Sequence, residues 1–185
     1  MDPLYTLKHE HGLIRQALDN ITLAKEEMEN GKKPPIEFFQ KSLDFFRNLV
    51  IKKHHIKEEQ MMFNLLSQKR NGHLDYHIQT LNHQHNHGRA MISEISQALD
   101  ECADGDNYPT EKLMEYITNY ASLLRKQLHT EDHIVYPLAE QELTDEEMKS
   151  FTQVFEREDS ENDGSYMEIG DKLVNEMGLI LINDD

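Results

Sequence analysis

Cysteine is almost missing from this chain. Cys102 stands alone, so no intramolecular disulfide can form. At 185 residues the chain is long enough to bury a core without such staples. Glycine and proline are also scarce, at 8 and 5 residues, which suits a helical protein. No apolar run reaches the length of a membrane span, and no basic-then-apolar leader opens the sequence; no membrane partner and a cytoplasmic location are the expectations. Lysine and arginine number 19 against 35 acids, a formal charge of −16. That argues against a nucleic-acid partner, because a phosphate-binding surface needs clustered bases. The imbalance is concentrated in residues 141–185, where 14 acids meet 3 bases. An acidic stretch of this kind reads as a solvated surface.

What is abundant is histidine, with 11 residues. The few breaks are regular: Gly31 to Pro35, Arg70 to Gly72, and Asp104 to Pro109. Between them lie four segments of helical length, roughly 3–29, 36–68, 74–103 and 110–140, without strand-like alternation. Short connections between long helices predict an all-α, up-down-up-down four-helix bundle over residues 1–142. Residues 143–185 form an acidic extension packed on or flanking it. Thr144 with Glu147, and Ser165 with Glu168, read as capping boxes for helices near 145–158 and 166–177. The apolar run Leu179 to Ile182 is too short to classify.

Placing residues at about 100° per step separates inward from outward histidines. Leu4, Leu7, Ile14, Leu18 and Ile21 form a stripe that contains His11, with His9 on the far side. Phe39, Leu43, Phe46, Val50, Met61 and Leu65 form a second, containing His54 and Glu58, with His55 and Glu59 off to one side. Leu74, Ile78, Leu81, Ile92 and Leu99 carry His85, and leave His83 and His87 outside. Leu113, Ile117, Tyr120, Leu124, Val135 and Leu138 carry Glu131, with Gln127 near the edge and His129 and His133 opposite. The inward polar set is therefore His11, His54, Glu58, His85, Gln127 and Glu131. Buried carboxylates need a cation or hydrogen bonds. Two Glu residues that bridge and three imidazoles that each bind one ion are what a metal pair requires. Such ligands suit iron or manganese, with zinc also able to bind.

The set repeats. His11 to His85 is a step of 74, while His54 to Gln127 and Glu58 to Glu131 are steps of 73. Each half thus offers a lone His and a (His or Gln)-x-x-x-Glu pair, whose i, i+4 spacing shares one helix face. A rival register uses His55, Glu59, His129 and His133, also at steps of 74, but turns two helices away from their apolar stripes.

These residues resemble the hemerythrin-like, HHE cation-binding family. The matching strings are Glu10-His11, His54-His55-Ile56-Lys57-Glu58-Glu59 followed by Phe63, Gln84-His85-Asn86-His87-Gly88-Arg89, and Glu131-Asp132 followed by Tyr136-Pro137. The resemblance covers roughly 3–140 and implies a non-haem centre of two iron ions. In the family such centres serve oxygen binding, redox or nitric-oxide response, or iron handling. A small diatomic ligand is the partner it implies. The family normally has His where this chain has Gln127, and an amide is a poor ligand beside imidazole. One metal position is therefore expected to be weaker or more open. The alternatives are an enzyme that consumes peroxide or nitric oxide, and a helical interaction protein with a degenerate site.

Other motifs fall away. His129-Thr130-Glu131-Asp132-His133 lacks the Glu that a zinc-protease helix places after its first His. Asp159 to Gly164 begins like a calcium loop, but position twelve is Gly170. His83 and His87 read as a solvated face, Cys102 as inert, and Met61, Met62 and Met91 as core filler.

Overall fold

The computed structural model describes residues 2–69, 74–101, 109–161 and 166–182, with side-chain surroundings outside 157–161. Cys102, the Arg70 to Gly72 break, most of the Asp104 to Pro109 break, Ser165, and the end of the calcium-like stretch lie outside the described residues. Every element among those described is helical.

Helix α1, Pro3–Glu29, starts where Asp2 accepts hydrogen bonds from the amides of Leu4 and Tyr5. It ends in a Schellman turn. Lys32 N–H donates to Glu27 O and Gly31 N–H to Met28 O, with Gly31 at φ 89°, a conformation that favours glycine. Helix α2 spans 36–66 as one rod, made of Ile36–Phe45, Phe46–His54, His55–Lys57, Glu58–Met62 and Phe63–Leu66. Helix α3 is Asp75–Asp100. Helix α4 spans 110–142, as Thr110–Thr130, Glu131–Val135 and Tyr136–Glu142. These four alternate up and down and make the expected bundle.

Among the described residues three stretches are wound as π-helix: Phe46–His54, Glu58–Met62 and Glu131–Val135. The last two begin at Glu58 and Glu131 and are repeat equivalents. A π-turn hydrogen-bonds i to i+5 and so advances fewer degrees per residue than an α-turn. That changes which residues face inward beyond it. Met61 and Leu65 are only half-buried; Met62, Phe63 and Leu66 take the core positions instead. Likewise Leu138 is half-buried, while Tyr136 and Ala139 are fully enclosed. The stripes on α1 and α3 carry no such turn, and every residue assigned to them is buried.

Two further helices complete the described chain. Helix α5, Asp145–Glu161, opens on a capping box: Thr144 N–H donates to Glu147 Oε2 and Glu147 N–H to Thr144 Oγ1. Helix α6, Tyr166–Ile182, runs past the predicted end and takes in the Leu179 to Ile182 run. It lies along α1 and α2. Gly170 is what permits that approach: a Cβ there would meet Leu49 Cδ1 at 2.3 Å. Asn20 Nδ2 donates to Val174 O at 2.8 Å, and Lys41 pairs with Glu176 at 2.6 Å. No helix among the described residues is long and apolar enough to cross a membrane.

Candidate metal centre

Each bundle helix brings polar side chains to one level of the core. Helix α1 contributes Glu10 and His11; α2 contributes His54, His55, Lys57 and Glu58; α3 contributes His85; α4 contributes Gln127 and Glu131. All nine are buried. Ligand atoms of His11, His54, Glu58 and Glu131 lie within 4.8 Å of one another.

The two carboxylates stand between histidines. Glu131 Oε2 is 3.3 Å from His11 Nε2, and its Oε1 is 3.5 Å from His85 Nε2. Glu58 Oε2 is 3.7 Å from His54 Nε2 and 3.6 Å from His85 Nε2. His11 and His54 thus form one side of the cluster and His85 the other.

The outer nitrogen of every one of these rings is held by a carboxylate, and a cation holds each carboxylate. His11 Nδ1 meets Asp132 at 2.9 Å, and Asp132 pairs with Arg15. His85 Nδ1 meets Glu59 at 2.8 Å, and Glu59 pairs with Arg89 at 3.0 Å. His54 Nδ1 meets Glu10 Oε2 at 2.8 Å, and Glu10 Oε1 accepts from Lys57 at 2.6 Å. Carboxylates that grip the far nitrogen fix the tautomer and aim of a metal-binding imidazole.

This arrangement fits a metal cation. An ionised carboxylate only accepts hydrogen bonds, so Nδ1 of His11 and of His54 carries the proton. In the neutral rings both Nε2 atoms are then lone pairs, and they face each other at 3.0 Å. Such a contact repels unless a proton or a metal ion lies between. Glu58 Oε2, Glu131 Oε1 and His85 Nε2 also lack a hydrogen-bond partner while buried, and buried polar atoms are seldom left so.

The electrostatics agree. Burial, together with the Glu131 charge, pushes Glu58 well above the usual carboxylate range. Burial opposes the charge on Glu131, yet the adjacent His11 and His85 rings hold its carboxyl below the usual range. Against burial, Glu131 and Glu59 raise His85 to about 9, and Asp132 and Glu131 raise His11. Burial lowers His54. The Tyr136 phenol, pushed well up by burial and the Glu58 charge, stays protonated and donates to Glu58 Oε1 at 2.8 Å. The shifts at Glu58, His11 and His85 all favour the protonated forms, the positive charge that a bound cation would supply instead.

Of the inward set read from the sequence, His11, His54, Glu58, His85 and Glu131 come together here; Gln127 is buried one helical turn before Glu131, and neither atom of its amide has a hydrogen-bond partner. One reading needs correction. His55, expected off to one side, is buried, and its ring stacks on His85 with centroids 3.7 Å apart. The π-turns of α2 account for the changed phase. Burial holds His55 neutral, well below its ordinary pKa, and its Nδ1 has no partner. The rival register is not assembled: His129 and His133 are exposed, and His133 Nδ1 donates to His129 O.

The supporting residues were missed, although the repeat marks several of them. Arg15 and Arg89 are 74 apart, and Glu59 and Asp132 are 73 apart. The supports cross between halves, since His11 uses Asp132 and His85 uses Glu59. Phe63 and Tyr136 are also equivalent, and stack on His85 and His11 respectively.

No curated protein and no solved structure matches the chain. The family model of the hemerythrin HHE cation binding domain matches residues 2–139 and again 77–168. The second match starts close to one repeat step beyond the first. With the bundle and its enclosed His–Glu cluster, this match shows that the chain belongs to the hemerythrin HHE cation-binding family.

Proposed function

We propose that the chain holds a pair of iron ions and uses them to bind a small diatomic molecule, oxygen or nitric oxide, or to respond to redox state or iron supply. The observation that carries this reading is the placing of Glu58 and Glu131 between His11 and His54 on one side and His85 on the other. Imidazole with carboxylate oxygen favours iron or manganese over soft metals. His11 and His54 with the two carboxylates would hold the first ion, and His85 with the same carboxylates the second. A bound iron pair supplies reversible redox change and an open coordination position.

The chain's own residues do the rest. Asp132, Glu10 and Glu59 keep three imidazoles aimed. Tyr136 holds one oxygen of Glu58 in place. Close packing keeps bulk water from the cluster. The Gln127 amide cannot replace an imidazole, so the second position is short of one ligand. An exogenous ligand would bind there, beside an amide that has hydrogen bonds to offer.

The test is elemental analysis of untagged protein after anaerobic loading with ferrous iron. Glu58→Ala and Glu131→Ala should each lose more than half of the bound iron, because each removes a ligand common to both ions. A full complement in either variant would contradict the bridging role.

A further inference from the structure

Lys57 is 3% exposed, and lysine is among the residues least often buried. Its ammonium is enclosed by Glu10 Oε1 at 2.6 Å, by the Tyr166 hydroxyl, and by two ring faces, those of Phe155 at 4.1 Å and Tyr166 at 4.3 Å. Phe155 belongs to α5 and Tyr166 to α6. The Tyr166 hydroxyl also donates to Glu10 Oε1 at 2.7 Å. Glu10 Oε2 in turn accepts from His54 Nδ1. The C-terminal extension therefore touches the carboxylate that sets the tautomer and direction of a candidate ligand. Burial works against the charge on Glu10, yet His54 and Lys57 together hold its carboxyl down to about 2. The three groups form one ionic unit, closed on its outer side by Tyr166.

From this juxtaposition we infer that Tyr166 is a positioning residue for His54, and that docking of the α5–α6 extension and binding of metal by His11 and His54 strengthen each other. The coupling runs from Tyr166 through Glu10 to His54, with Lys57 neutralising the carboxylate. It is reciprocal by thermodynamic necessity: whatever the docked extension adds to metal affinity, bound metal adds to docking. It is also confined to one side. The repeat equivalents of Glu10 and Lys57 are Gln84 and Thr130, which cannot form such a unit, and the extension lies along α1 and α2. The acidic tail read from the sequence as a solvated surface thus contains a helix whose first residue supports the metal centre.

The inference rests on the proposed metal pair, and one experiment separates the two. Full-length wild type and Tyr166→Phe are loaded anaerobically with ferrous iron. Release to a chelator is followed in time, and amide hydrogen exchange of α6 is measured with and without iron. Tyr166→Phe keeps the ring over Lys57 and removes only the hydroxyl, so the fold is retained. The expected result is several-fold faster release in the slow phase alone, which belongs to the His11–His54 position, with the fast phase unchanged. Iron should slow α6 exchange several-fold in the wild type and distinctly less in Tyr166→Phe. Equal release rates together with α6 exchange indifferent to iron, in protein that loads iron, would overturn the inference. A wild type that loads no iron would overturn the metal-centre reading itself.

Discussion

The two halves of the repeat support their histidines unequally. His11 and His85 occupy matching positions and have matching supports, Asp132 with Arg15 and Glu59 with Arg89. The other pair does not match. His54 has Glu10 and Lys57 behind it, whereas its counterpart Gln127 has an unpartnered amide and the counterparts Gln84 and Thr130. The departure at residue 127 is thus the loss of a whole chain of support rather than of one ligand. A carboxylate without an imidazole to grip, or a buried lysine without a carboxylate, would be costly, so the three differences are physically consistent with one another. On the proposed reading, one metal position is firmly built and the other is open.

The largest effect should come from breaking the stronger half. Lys57→Met leaves Glu10 with less compensating charge and should lower unfolding stability by about 3 kcal/mol, in the range for breaking a buried pair. The equivalent change in the other half, Thr130→Met, should stay within about 0.5 kcal/mol. Denaturant titration of both variants without metal checks this, and equal losses would mean that the halves do not differ as described.

The next effect comes from rebuilding the weaker half. Gln127→His alone supplies an imidazole whose outer nitrogen faces, at best, an amide oxygen. Adding Gln84→Glu supplies the carboxylate. Iron per chain should rise with the first change and rise further with the second, and release to a chelator should slow in the same order. If neither change raises occupancy, the cavity at residue 127 has been closed by other groups and the open-position account fails.

The smallest effect concerns His55, which the repeat aligns with Leu128, buried in the opposite half. His55 carries a buried nitrogen without a partner, and removing such an atom can stabilise. His55→Leu should change stability by no more than about 1 kcal/mol and leave iron content as it was. Loss of iron in this variant would make His55 a ligand and shift the second position toward the His55–Glu59–His85 group.

Much of this site was legible because three-residue and four-residue spacing survives wherever the helix is a regular α-helix. The stripes on α1 and α3 placed His11 and His85 correctly for that reason. The phase held on α2 through Val50, His54 and Glu58 and failed at His55 and past Glu58, where π-turns put Met62 and Phe63 where Met61 and Leu65 were expected. Glu10 and Lys57 escaped notice for a different reason. A periodicity reading assigns charged residues outward, and only their pairing with each other and with His54 makes burial tolerable. Tyr166 lies 156 residues from Glu10 in sequence, beyond any local spacing rule.

The proposed function has the chain hold two ions in unequal positions. Chelator-driven release of iron from anaerobically loaded, untagged protein tests it most directly. Two phases are expected, a slow one from the His11–His54 position and a fast one from the His85 position, with a combined amplitude approaching two ions per chain. A single phase of two equivalent ions, or no bound iron at all, would contradict it.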